Sequence, residues 1–247
     1  MFPIFAGNSA STGYNLTRSL RTRASASAYL NRTPASASNR QTWTWSGWVK
    51  RGTLTGDQAI FFAGTAGNNN TLRFNSDNTM YVFRYDGSIT WGLSTTQVFR
   101  DPSAWYHVVV AYDSTQATST NRVKLYINGA QVTAFSSATY PSLNLNSDVN
   151  NTVDHRIANN NASNNFDGYQ TEDVLVDGQA LTPSSFGSTN TLTGVWQPAR
   201  YTGTYGTNGF YLPFTDNSAL TTSSNVGLGK DFSGNGNYWT TNNISIT

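Results

Sequence analysis

Cysteine is absent from the 247-residue chain, glutamate occurs once, at Glu172, and there are only three lysines. The first absence removes disulfide staples, Cys-ligated zinc and thiol catalysis together. Charged residues fall to 11% of the chain, against about 25% in ordinary domains, and the missing ones are helix formers. No long segment repeats apolar residues at the helical period, which excludes an all-α fold. No stretch approaches eighteen consecutive apolar residues, so no membrane-spanning helix and no membrane insertion are expected. The opening Met1-Phe2-Pro3-Ile4-Phe5-Ala6-Gly7 is short and lacks a basic start, so it does not read as a secretion signal. Ser, Thr and Asn fill the vacancy at roughly a third of the residues, a β-rich and loop-rich signature. One β domain of this length buries roughly 70–75% of its unfolded surface and needs no metal or disulfide to hold together.

The formal charge is only +2, but its distribution is one-sided. Residues 1–56 hold Arg18, Arg21, Arg23, Arg32, Arg40, Lys50 and Arg51 and no acid, which is +7, leaving −5 on the remainder. Residues 1–23 therefore read as a basic N-terminal arm, with Arg18, Arg21, Arg23 and Arg32 as candidates for anchoring it on an acidic protein surface through contacts that salt would screen. Seven charges spread over this length form no compact patch, so nucleic acid is not the expected partner.

From residue 42 onward short strands alternate with turns. In Thr42-Trp43-Thr44-Trp45-Ser46-Gly47-Trp48-Val49-Lys50 the period of two sends Trp43, Trp45 and Val49 to one face and Thr44, Ser46 and Trp48 to the other. Thr71–Phe74 and Met80–Tyr85 read as a hairpin through Asn75-Ser76-Asp77-Asn78. Asp86-Gly87 and Asn128-Gly129 read as tight type I′ turns, which need positive φ at both central residues. Trp105–Tyr112, Arg122–Ile127 and Asp173–Val176 follow as strands, and Leu181–Phe186 as a short helical turn opened by Pro183. Without intervening helices, the series predicts an all-β sandwich or jelly roll.

These residues carry a resemblance. Trp45-Ser46-Gly47-Trp48-Val49-Lys50, Trp105 through Asp113, Lys124-Leu125-Tyr126-Ile127-Asn128-Gly129 and Phe166-Asp167-Gly168 through Asp177 resemble the laminin-G-like branch of the concanavalin A-like lectin/glucanase superfamily. The resemblance implies a jelly-roll β-sandwich of two antiparallel sheets over residues 24–187. Residues 188–247, with Phe210-Tyr211-Leu212-Pro213 and the turn Asp231-Phe232-Ser233-Gly234-Asn235-Gly236-Asn237, then add closing or edge strands. Pro213 lacks a backbone donor, which puts its strand at an edge. The segments Gln97 through His107, Asp177 through Gly187 and Gly206 through Leu212 also resemble virion structural proteins of marine bacteriophages. That resemblance implies a capsid-surface decoration or cement protein on the particle's exterior, made in the host cytoplasm. Its partners would be the major capsid protein or other virion proteins and further copies of itself. The alternative it implies is a tail-fibre adhesin that binds host surface glycan.

Little supports catalysis. Glycan cleavage needs two opposed carboxylates, and Glu172 has no second Glu to work with. Asp167, Asp173 and Asp177 are close in sequence but suit strand ends and turns, and His107 sits in a Val-rich strand as a core imidazole would. Neither Gly-x-Ser-x-Gly nor His-Glu-x-x-His occurs. A non-enzyme without a cofactor or metal site is expected. Calcium is the alternative weighed, at Asn75–Asn78 or Asp231–Asn237, because those loops carry suitable oxygens. For a glycan, an aromatic platform with nearby amides points to Tyr85, Asp86 and Trp91, or to the run Asn159, Asn160 and Asn161.

Overall fold

The computed structural model describes residues 14–161, 163–220 and 223–245. Two large antiparallel sheets pack face to face, as the expected jelly-roll sandwich requires. The front sheet runs β1 (Leu20–Thr22), β13 (Gly168–Asp177), β3 (Thr42–Arg51), β8 (Tyr106–Asp113), β9 (Val123–Ile127) and β10 (Ala130–Gln131), with β16 (Phe210–Leu212) also paired to β13. The back sheet runs β11 (Phe135–Thr139), β7 (Ile89–Val98), β6 (Thr79–Asp86), β5 (Asn68–Phe74), β4 (Gln58–Gly64), β12 (Asp154–Ile157), β2 (Tyr29–Arg32) and β17 (Thr240–Asn242). A hairpin of β14 (Gly187–Thr189) and β15 (Trp196–Pro198) stands apart from both.

Alternation decides what each strand buries. Trp43, Trp45 and Val49 turn inward, where Trp43 stacks on Tyr112 at 5.2 Å and Trp45 on Phe61 of the back sheet at 5.8 Å. Each buried Trp removes some 150–250 Å² from water, the largest single contributions available to such a core. Trp48 faces outward and stacks on His107 at 4.9 Å. At Asn128-Gly129 both φ angles are positive, +48° and +82°, as a type I′ turn demands. Asp86-Gly87 differs: only Gly87 has positive φ, at +74°, and the Asp86 N–H bonds the Ser88 carbonyl, so the turn is of another type. The expected helical turn is a single 3-10 turn, Pro183–Ser185.

The ends of the chain are woven into both sheets. β1 takes residues 20–22 of the expected arm into the front sheet against Gly168–Gln170, and residues 1–13 of that arm lie outside the described residues. β16 pairs with Asp173–Leu175 and β17 with Tyr29–Asn31. The Asp231 carboxylate fixes β16 in place: Oδ1 accepts from the N–H groups of Tyr211 and Ser233, both at 2.9 Å, and Oδ2 from Asn237 N–H at 2.9 Å and the Ser233 hydroxyl at 2.7 Å. Asp177 ties three loops, accepting from Asn39 N–H, Asn150 Nδ2 and Asn208 N–H.

β13 carries a bulge where its edge partner changes. Thr171 pairs with Trp48 and Val174 with Ser46, so one residue is surplus, and Glu172 absorbs it with φ +56°. The bulge puts Thr171 and Glu172 both on the outer face, and alternation resumes with Asp173 in the core, beside Trp45 and within 3.3 Å of the Gln170 amide. Complete burial holds the Asp173 carboxyl well above its ordinary 3.8, and the Glu172 charge adds to the rise.

Two outcomes follow from this packing. A Cβ at Gly129 would stand 2.4 Å from the Trp196 ring, so Gly129→Ala should cost about 1–3 kcal/mol, read as a lower urea midpoint at unchanged slope. Because the folded pKa of Asp173 lies above its unfolded value, stability falls as pH rises from about 4 towards the folded pKa. Asp173→Asn removes that fall, so its stability gain over the native chain should be larger at pH 8 than at pH 5 in paired denaturant titrations.

Candidate functional site

The outer face of the front sheet is the most elaborated surface of the molecule. Much of its cover comes from residues 186–232: Phe186, Tyr201, Tyr205, Tyr211 and Phe232 pack with Val109, Ala111, Val174 and Val176. The β14–β15 hairpin is pinned there by Trp196, whose ring fits against Gly129 and Gly187, where any Cβ would meet it. Its indole N–H donates to His107 Nδ1 at 3.0 Å, which leaves His107 Nε2–H to bond the Ser46 hydroxyl at 2.9 Å. Burial lowers the His107 pKa to about 3, so this imidazole stays neutral and structural. His155 is likewise buried, lowered to about 4, and bonded through both nitrogens to Asn150 N–H and the Val153 carbonyl.

What remains open on this face is a groove crossed by the N-terminal chain. β1 and β16 both need the edge of β13, so the chain before Leu20 leaves the sheet plane and passes over the outer face. Residues 14–19 line a cavity of about 420 Å³ together with Trp48, Trp105, Thr171 and Pro198. Residues 14–18 also line a second cavity, of about 260 Å³, with Glu172, Arg200, Tyr211 and Phe232. At the partition between the two, the Tyr14 hydroxyl bonds the Glu172 carboxylate at 2.6 Å and meets the Tyr211 hydroxyl at 2.6 Å. Tyr211 also bonds Glu172, at 3.0 and 3.1 Å. Arg200 lies over the Tyr211 ring at 5.5 Å. Burial raises the Glu172 pKa, and the two tyrosine hydroxyls oppose that rise. Burial likewise raises Tyr205, to about 12. The arrangement offers aromatic faces, one carboxylate acceptor and one guanidinium donor.

The sequence-proposed glycan residues are placed elsewhere and do not converge. Trp91 is fully buried inside the sandwich against Tyr112, because alternation along β7 turns it inward, so it presents no face to a sugar. Tyr85 and Asp86 lie at the β6–β7 turn, where Asp86 is engaged by Arg84 at 2.7 Å. Asn159, Asn160 and Asn161 follow β12 towards the opposite end of the same sheet. Asn159 is buried, accepting from Arg156 and from the Asn161 N–H, while Asn160 accepts from Asn164 N–H, so the run builds its own loop.

The four arginines of the expected anchor also divide. Arg21 pairs with Asp167 at 2.6 Å and lies over the Tyr169 ring, and Arg32 donates to Asn208 and Asn237 of the C-terminal loops. Both are internal ties, Arg21 to the start of β13 and Arg32 to the C-terminal loops, whereas Arg18 and Arg23 are exposed. At the two loops weighed for calcium, Asp77 accepts from the Thr79 N–H and hydroxyl, and the Asp231 oxygens are used as described above. No group of three or more His, Cys, Asp or Glu suited to a metal occurs among the described residues. Glu172 and the Trp105–Tyr106–His107 strand were visible in the sequence, but their meeting with Tyr14, Arg200 and Tyr211 was not, apart from the break in alternation at Thr171-Glu172-Asp173.

The fold and this groove can be set beside known proteins. No curated protein matches the chain at a significant level. Among solved structures, domain 4 of the extracellular arabinanase AbnA from Geobacillus stearothermophilus, in complex with arabinotriose, is 23% identical over 60% of this chain and 65% of its own, with TM-score 0.47. The heptameric SAP-like pentraxin of Limulus polyphemus is 15% identical over 63% of this chain and 71% of its own, with TM-score 0.43. Mouse laminin α1 domains LG4-5 are 12% identical over 83% of this chain and 49% of theirs, with TM-score 0.43. A family model covers residues 24–187, the greater part of the chain, and on that match the chain belongs to the laminin G branch of the concanavalin A-like lectin/glucanases superfamily.

Proposed function

We propose that this lectin-like domain is a non-enzymatic structural protein on the exterior of a phage particle, acting as a capsid decoration or cement protein. The observation that carries the non-enzymatic part is the bulge at Glu172. It sets Glu172 on the outer face and Asp173 in the core, so these two neighbouring carboxylates do not oppose each other across the groove for acid–base cleavage. The likeness of the sequence to phage virion proteins supports the setting. The exposed Arg18 and Arg23 support attachment to an acidic capsid surface. A second reading, a tail-fibre adhesin for host surface glycan, is favoured by one specific observation: the half-buried Trp105 lines one cavity, and Glu172 and Arg200 line the adjoining one across Tyr14.

Copy number separates the two. Mass spectrometry of purified particles against the major capsid protein should give hundreds of copies for a decoration protein and at most a few dozen for a fibre. Absence from purified particles overturns both. Replacing the two exposed arginines, Arg18→Gln with Arg23→Gln, should lower particle occupancy severalfold and weaken its dependence on salt, while the melting temperature stays within a degree or two. Unchanged occupancy and salt dependence would remove the anchor from the proposal.

A further inference from the structure

Residues 14–19 bridge open space on both flanks, with a cavity of about 420 Å³ on one side and about 260 Å³ on the other. Two attachments at the ends of the segment frame the crossing. At one end Leu20–Thr22 pairs with β13, and at the other the Tyr14 hydroxyl bonds Glu172 and Tyr211. Between them Asn15, Thr17, Arg18 and Ser19 are exposed.

Lifting Tyr14 would join the two cavities into one groove and withdraw a hydroxyl donor from the buried Glu172 carboxylate. Tyr211 would still donate to that carboxylate, at 3.0 Å, and the acceptor site freed by Tyr14 suits an incoming hydroxyl, which makes the same O–H bond that the phenol made. The rest of the groove adds the half-buried Trp105 ring, on which an apolar ring face can stack, and Arg200 for acceptor oxygens. Hydroxyl donors, an apolar ring face and acceptor oxygens together describe a pyranose.

We propose that residues 14–19 are a hinged cover over a saccharide groove, in which a sugar hydroxyl replaces the Tyr14 phenol on Glu172. This rests on the glycan-binding reading above and adds the site and its gate. The cover makes the resting protein a weak binder, because ligand and Tyr14 compete for one acceptor. Loss of the Tyr14 hydroxyl should therefore tighten binding.

The test uses the full-length chain, Tyr14→Phe, which keeps the ring and removes the hydroxyl, and two groove variants, Trp105→Ala and Arg200→Gln. Hydrogen exchange of residues 14–19 reads the cover. A printed array of neutral and acidic oligosaccharides, followed by titration of the strongest hit, reads the groove. Tyr14→Phe should exchange faster at residues 14–19 and bind about tenfold tighter than the native chain. Trp105→Ala should lose at least tenfold, and Arg200→Gln, at an exposed position, should weaken binding without altering the fold. Unchanged exchange in Tyr14→Phe overturns the cover. Faster exchange with no binding to the array by any variant overturns the saccharide assignment, and with it the glycan reading, but not the cover. Binding that is equal in native and Tyr14→Phe chains and insensitive to Trp105→Ala overturns the groove as the site.

Discussion

The competition of two strands for one edge governs the front of this molecule. β13 is long enough to hold β1 along its first residues and β16 along its later ones, and the bulge at Glu172 marks the exchange. A bulge adds one residue and increases the local twist, so it re-aims the side chains that follow it. Asp173 enters the core, Glu172 faces out, and the N-terminal chain is pushed off the sheet and over its outer face. The positive φ of Glu172 is the local strain that this exchange requires.

The second consequence is a covered face. In a plain two-sheet sandwich one outer surface of each sheet meets water. Here the C-terminal residues lay a further aromatic layer over the front sheet, with Phe186, Tyr201 and Tyr211 on valines of β8 and β13. Trp196 adds a polar lock within that layer by bonding His107, whose burial keeps it neutral. The layer reaches Glu172 through Tyr211 and leaves the space beside Trp105 open, and that gap belongs to the groove.

The chain ends act as ties as much as extensions. Arg21 and Arg32, which a charge count assigns to an outward arm, instead bind Asp167 and the Asn208 and Asn237 loops. Such pairs join residues 20–32 to segments far along the chain, so the first strands and the last loops are held as one unit. Of the four arginines that a charge count assigns to the arm and its anchor, only Arg18 and Arg23 are exposed.

Much of this fold was readable before any coordinates. A period of two assigned Trp43, Trp45 and Trp48 to their faces, and Asn128-Gly129 announced its turn, because both signals depend on neighbours within a few residues. The site was not readable in the same way. Trp91 looked like a platform beside Asp86, yet it shares the inward parity of Leu93 and Thr95 on β7, and which parity faces the core is set by the sheet packed opposite. Tyr14, Glu172 and Tyr211 are separated by up to 197 positions and meet only because two strands share one edge. Local sequence thus determined the all-β class, the inward aromatics and the small number of glutamates and histidines. Tertiary structure alone decided which polar groups converge, since edge competition and long-range pairing are properties of the assembled sheets.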